Sequence, residues 1–445
     1  MDNQPSPVLP IPPKKKHWVR TTIIVLVCVV VVFLVVITNI PRILNVFNHD
    51  IPPIDDSDLA LQKIDLPDSV NGYSDITNAI SVMYAPSEMT TVIGDLYSGK
   101  NWNDAAAKEL ISKNAQALAY FHQGANKPQF QWPVTADPAN MSFDLLMTPL
   151  NDWRKISEIN TIYAISLAKQ GKDAAALDAA LDSVRFGQNI EDSQDALIGY
   201  LVGISVKGMG MTAIRNAMNS SKLTPAELQP YISEMSRYMN NDAGLISAFK
   251  AEYHMQVSMI NPEKLKAMLL VLVDPKDLNT PQENLHGMTP NEYASKATDS
   301  FYFQPNKTRL LFADNTRDVI KNIPTSCGVT PEAPLKLLAP RNFFSMYVEP
   351  NYIGEVLHDI IALGLNGADR VKCQDRALVG ETQILLALRA YKTATKSLPS
   401  SLDQLVPTYL QAIPTDPFNR QPLQYSLQNK TIFSSYATST ITIGF

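Results

Sequence analysis

The sequence has little with which to hold a cofactor. It contains no H-E-x-x-H, no C-x-x-C and no phosphate-cradling glycine loop, so the usual zinc, dithiol and nucleotide sites lack their motifs and no cofactor or metal is expected. Cysteine is scarce, with three in 445 residues: Cys28, Cys327 and Cys373. Charge is sparse too, at 18% with a net of −5. Lys14, Lys15, Lys16 and Arg20 stand against Asp2 in residues 1–40, so the rest of the chain carries −8. A mildly acidic remainder argues against a nucleic-acid partner and against electrostatic adhesion to anionic lipid. Hydrophobic residues reach 45%, which excludes a disordered chain and supplies a buried core.

In one stretch charge is missing altogether. Residues 21–40 read TTIIVLVCVVVVFLVVITNI. At about 1.5 Å rise per residue, a helix of that length spans roughly 30 Å, the thickness of a bilayer's hydrocarbon core. The basic cluster precedes it, while Asp50, Asp55, Asp56 and Asp58 follow with Arg42 as the nearby cation. The positive-inside bias then puts the N-terminus in the cytoplasm and residues 41–445 outside. The run exceeds a cleaved signal's apolar core of roughly 7–15 residues and no small-x-small site follows it, so an uncleaved signal-anchor is expected. Residues 1–20, with Pro5, Pro7, Pro10, Pro12 and Pro13, read as an extended stub. Cys327 and Cys373 would lie outside, where disulfides persist, but spacing alone leaves their pairing open.

Residues 41–72 read as a linker, with Pro52-Pro53 and the acidic cluster making a solvated tether. From Tyr73 the apolar period becomes helical. Tyr73, Ile76, Ile80 and Met83 mark one helix; Ala107, Leu110, Asn114, Ala117 and Phe121 mark a second, ended by Gly124. Residues 125–149 hold four prolines and read as a long ordered loop. Three stripes follow within 151–240, broken at Gly171 and near Gly187, with Gly208 expected to admit a neighbouring helix. Thr224-Pro225-Ala226-Glu227 is a capping box with proline at the first helical position. Short loops between such helices predict an α-hairpin array. YAISLAKQGKDAAALDAALDSVRFG resembles a tetratricopeptide-type hairpin, without a second copy at a 34-residue period. Its alanine-rich faces read as close packing in preference to a peptide groove. Further helices are expected over 243–260, through Leu310 to Ile320, and over 351–363, giving a helical body over 73–370.

In residues 371–445 a long helix precedes a turn of helix capped by Ser400 with Asp403, a hairpin over 423–427 and 431–435, and a third strand over 438–443. The order Leu388-Arg389, Tyr391, Leu398-Pro399, Leu402-Asp403-Gln404-Leu405, Tyr409-Leu410, Ile413-Pro414, Asp416-Pro417-Phe418 and Tyr425 resembles the C-terminal part of the major pseudopilins of type II secretion. Three features depart from that family: 21–40 has neither the processing site nor the Glu of a pseudopilin helix, the pilin-like piece sits at the far end of the chain from it, and FSSYATSTITIGF lacks the acidic calcium loop. Pilin assembly and a metal are therefore not carried over. FYFQPNKTRLLFAD, NYIGEVL over 351–357 and SLDQLVPTYLQAIPTDPFNRQPLQY also resemble a family of membrane-anchored bacterial proteins with a helical body and this same tail. That likeness implies an envelope location and no activity. The expected architecture is mainly α: one N-terminal transmembrane helix, an extracytoplasmic α-hairpin array and a small α+β pseudopilin-like module.

Catalytic candidates are weak. Gly203-Ile204-Ser205-Val206-Lys207 begins like a nucleophile elbow but lacks the closing Gly and falls mid-helix. Glu355 and His358 form half of a di-iron motif without a second copy, and Glu252 with His254 are spaced to point apart. The leading expectation is a non-enzymatic interaction or scaffold protein of the bacterial envelope, with the lipid bilayer and an envelope protein as partners. The alternatives are an envelope hydrolase with a site between body and tail, and an accessory to pilus or type II-like secretion assembly.

Overall fold

The computed structural model describes residues 23–33, 35–36, 48–99, 101–136, 143–239, 242–273, 289–323, 327, 338, 349–365, 367–435 and 440–445. The stub, both flanks of the apolar run and residues 41–47 of the expected linker lie outside them. The chain divides into two compact units: residues 1–53, 265–308 and 337–357, and residues 54–264, 309–336 and 358–445.

The fold is mainly helical, closed by a small sheet. The helices are α1 (Ile23–Phe33), α2 (Tyr73–Ser81), α3 (Thr90–Ser98), α4 (Asp104–Lys113), α5 (Ala115–Ala125), α6 (Pro133–Ala136), α7 (Phe143–Lys169) and α8 (Asp173–Asp192). There follow α9 (Leu197–Met218), α10 (Pro225–Met235), α11 (Asp242–Met259), α12 (Pro262–Val273), α13 (Pro290–Ala297), α14 (Pro305–Asn322), α15 (Tyr352–Leu365) and α16 (Ala368–Thr395). Strands β1 (Gln424–Ser426), β2 (Thr431–Phe433) and β3 (Thr440–Thr442) form an antiparallel sheet in sequence order, with Tyr425 opposite Ile432 and Ile432 opposite Ile441.

In the larger unit α7, α8 and α9 pack as consecutive hairpins, the first turning at Gly171, whose φ is +71°. The sequence expectation of a break at Gly187 is corrected: α8 runs through it to Asp192. The reason is close packing. A Cβ on Gly203 would lie 2.7 Å from the Gly187 carbonyl, and one on Gly210 would lie 2.6 Å from that of Ala180. Gly208, the expected contact position, has nothing within 4 Å of a built Cβ. α9 is long and apolar enough to cross a bilayer, but its apolar window is 67% buried among the other helices, which makes it a core helix here.

Two further expectations change. Asn114 divides what read as one helix into α4 and α5, because its side chain turns back to bond the Tyr84 backbone N–H and carbonyl. The proline-rich stretch over 125–149 holds α6 and the start of α7, with Pro149 inside α7's second turn. Thr224 and Glu227 form the expected capping box on α10. At the other end, Ser401 and not Ser400 precedes the short 3-10 turn at Leu402–Leu405.

The expected division at 371 falls inside α16. That helix buries Val379, Ile384, Leu385 and Leu388 in one core with α8, α9, α10 and the sheet residues Ile432 and Ile441. Tail and body therefore share a core within this unit. Within the expected tether, Asp58 stays exposed while Asp56 is partly buried, and both are tied down: they pair with Arg317 and Arg309 respectively, each at 2.7 Å, and Tyr253 also hydrogen-bonds Asp56. Cys327 and Cys373 are joined as a disulfide with Cα atoms 5.6 Å apart.

In the smaller unit, the runs FYFQPNKT and NYIGEVL come together. Asn351, at φ +62°, accepts from Gln304 N at 2.8 Å and from Thr308 Oγ1 at 2.9 Å. Asp50 accepts from the Asn306 and Lys307 backbone N–H groups at 2.8 and 3.0 Å, capping the first turn of α14.

Candidate functional site

A cleft of about 420 Å³ opens between α5 and α8, over α7. Helical spacing builds its walls: Ala115, Leu118, Ala119 and His122 recur along one face of α5, and Ala175, Asp178, Ala179 and Asp182 along one face of α8. Asn160 and Tyr163 supply the floor from α7. Asn160 Nδ2 donates to the Ala179 carbonyl at 2.7 Å and to Ser183 Oγ at 2.9 Å, which locks floor to wall. The alanines leave room where longer side chains would fill it. They divide by face: Ala176 and Ala180 pack inward, while Ala175 and Ala179 line the cleft.

The polar groups converge at one end. Asp182 is 2% exposed, and its Oδ2 lies 2.8 Å from His122 Nδ1. Its Oδ1 accepts from Asn126 Nδ2 at 2.8 Å. Burial pushes the Asp182 carboxyl above the usual range, opposed by His122 and Asn126. Arg185 then links Asn126 to Glu234 through a bidentate pair, both bonds at 2.7 Å. One turn from Asp182, Asp178 Oδ1 accepts from Tyr231 Oη at 2.9 Å. A carboxylate holding Nδ1 of an exposed histidine orients the ring and presents Nε2. That geometry can accept a proton or a hydrogen bond. Among the described lining residues the one hydroxyl is that of Tyr163, so no serine, threonine or cysteine nucleophile stands beside the pair.

A second polar group is sealed in the core. Lys207 Nζ lies 2.7 Å from both Glu191 Oε1 and Asp375 Oδ2, and donates to Gln188 Oε1 at 3.1 Å. Lys207 is 0% and Glu191 1% exposed. Burial pushes Glu191 up to about 8 and raises Asp375 as well, in spite of the ammonium between them. Burial opposes the Lys207 charge, yet the two carboxylates hold it above its usual range. This cluster joins α8, α9 and α16.

The other sequence candidates fall elsewhere. The Gly203–Lys207 stretch lies mid-helix in α9, where Gly203 faces α8 and Lys207 enters the buried cluster. His358 is buried with Nδ1 3.1 Å from Asp359. Glu252 accepts from Leu197 N at 3.4 Å, and burial lowers the basicity of His254 beside it in sequence. Among the described residues, no three His, Cys, Asp or Glu side chains are grouped to hold a metal. His122 and Asp182 are 60 positions apart, and no motif in the sequence marks either of them.

No protein-family model, curated protein or solved structure matches the chain.

Proposed function

We propose that this chain is a membrane-anchored scaffold of the bacterial envelope that displays its helical body outside the cytoplasm and receives a partner protein in the α5–α8 cleft. The observation that carries the reading is an aliphatic helix left uncovered along its length, where the other exposed large apolar side chains among the described residues are isolated. In α1, Ile24 is 62% and Leu26 64% exposed, while Trp153, Phe186 and Ile384 are at most 1% exposed. Lipid is the natural cover for such a helix, and residues 21–40 have the length to cross a bilayer. The Cys327–Cys373 disulfide supports an oxidising compartment for the body. Large apolar side chains exposed on the body and tail, such as Val82, Ile198, Ile360 and Leu427, are scattered. The concave cleft is thus a better-formed receptor than any flat apolar patch.

A hydrolytic reading has one observation in its favour, the His122–Asp182 pair. It would require a water nucleophile or a substrate-borne hydroxyl, and the cleft lies within the body instead of between body and tail. The tail's likeness to pseudopilins supports a place beside secretion or pilus machinery by analogy.

Carbonate extraction and protease shaving of intact spheroplasts test the topology. The full chain should resist extraction and lose its body to external protease; release by carbonate, or full protection from protease, would refute it.

A further inference from the structure

We propose that the cleft's occupant is a lysine side chain carried by a segment of the partner protein; this rests on the scaffold reading above and names the chemistry of its site. Four observations converge. The walls are low and aliphatic, with Ala115, Ala119, Ala175 and Ala179 facing one another, a surface suited to a methylene stem and open enough to admit peptide backbone. Two carboxylates, Asp178 and Asp182, stand one helical turn apart on α8 and give the cleft an acidic end. Tyr163 contributes an aromatic ring to the floor, a favourable neighbour for a cation.

The fourth observation selects between cations. Asp182 has both oxygens engaged, by His122 and Asn126. Asp178 has Oδ1 engaged by Tyr231, and its Oδ2 accepts no hydrogen bond from the described residues. A guanidinium gains most from a carboxylate with two oxygens available for a parallel pair of bonds. An ammonium is satisfied by separate single acceptors. His122 supplies another. When the hydrogen shared with Asp182 sits on Nδ1 and Nε2 carries none, Nε2 is left as an acceptor. Asp178 Oδ2 and His122 Nε2 together suit an ammonium at the end of an aliphatic stem. Asp178 is a binding residue in this account, and Asp182 a positioning residue acting through His122.

The test uses the full chain in nanodiscs and three probes: Ac-Ala-Lys-Ala-NH2, the same peptide with norleucine, and free cadaverine. Binding is followed by calorimetry on the wild type and on Asp178→Asn, which keeps the acceptor for Tyr231 but loses the charge. The lysine peptide should bind at least tenfold more tightly than the norleucine peptide and lose that advantage in Asp178→Asn. Ala179→Leu, which fills the cleft, should abolish binding of both peptides. Equal binding of lysine and norleucine peptides, or selectivity unchanged by Asp178→Asn, would overturn the proposal. Cadaverine binding as tightly as the lysine peptide would also overturn it, in favour of a small-amine site. A cleft that captures a protein in cells but shows no lysine preference would remove this inference alone and leave the scaffold reading standing.

Discussion

Glu381→Gln should leave the protein about as stable as wild type in mild acid and make it more stable in alkali. Glu381 is 0% exposed on α16; its Oε1 accepts from Ser434 N at 3.1 Å and its Oε2 has no hydrogen-bond partner. Burial pushes its carboxyl up to about 8, with Ser434 and Arg215 offsetting only part of that cost. The folded protein therefore keeps this proton to about pH 8, whereas the unfolded chain releases it near 4.5. Stability that is whole below pH 4.5 is lost as pH rises through 8, at about 1.4 kcal/mol per pH unit across the window. The accumulated cost is on the order of 5 kcal/mol above pH 9. Glutamine matches the protonated acid in shape and cannot ionise, so it avoids this cost. Urea unfolding of both proteins from pH 5 to pH 9 should show a difference within about 1 kcal/mol at the acid end, widening to roughly 3–5 kcal/mol at the alkaline end. Taking the difference cancels the similar slopes from Glu191 and from Asp195, another carboxyl that burial pushes up, to about 7. A difference independent of pH would refute the reasoning.

Gly203→Ala drives a methyl into the Gly187 carbonyl across the α8–α9 crossing, and should destabilise by about 3 kcal/mol or more because backbone cannot yield as a side chain does, read as a lowered urea midpoint. Lys207→Met strands two buried carboxylates. It should cost about 3–5 kcal/mol near neutrality and less at pH 5, because without the ammonium the folded variant holds protons that the wild type takes up only as pH falls, measured by denaturation at the two pH values. Replacing Cys327 and Cys373 together by serine opens a loop of 46 residues' separation and should cost up to about 4 kcal/mol by chain entropy, seen as a lowered Tm under non-reducing conditions.

Periodicity made the helices legible, and β1–β3 fell within the apolar runs that marked them. Interruptions were harder to read, because a glycine or asparagine has the same local look whether it ends a helix or serves packing. Gly187 looked like a stop and is a close-approach site, while Asn114 looked like part of a stripe and divides one. Residues 371–445 look separable by their resemblance, yet α16 spends its apolar face on the body, which no local pattern reveals. The cleft was illegible for a related reason. His122 and Asp182 meet only because α5 and α8 pack across α7, and the alanines beside them carry no mark of which face turns inward. Lys207 stands in a stretch that the sequence places mid-helix, but its charge has no legible partner until α16 brings Asp375 to it.

The most direct test of the central claim is site-specific photo-crosslinking in intact cells, with the photoreactive residue placed at Ala119 inside the cleft or at Gln116, exposed on the same helix and outside the cleft lining. The account predicts one discrete protein adduct from position 119, absent from position 116 and lost when Ala179→Leu fills the cleft. Equal adducts from both positions, or none from position 119 in a chain verified to be membrane-inserted, would contradict it.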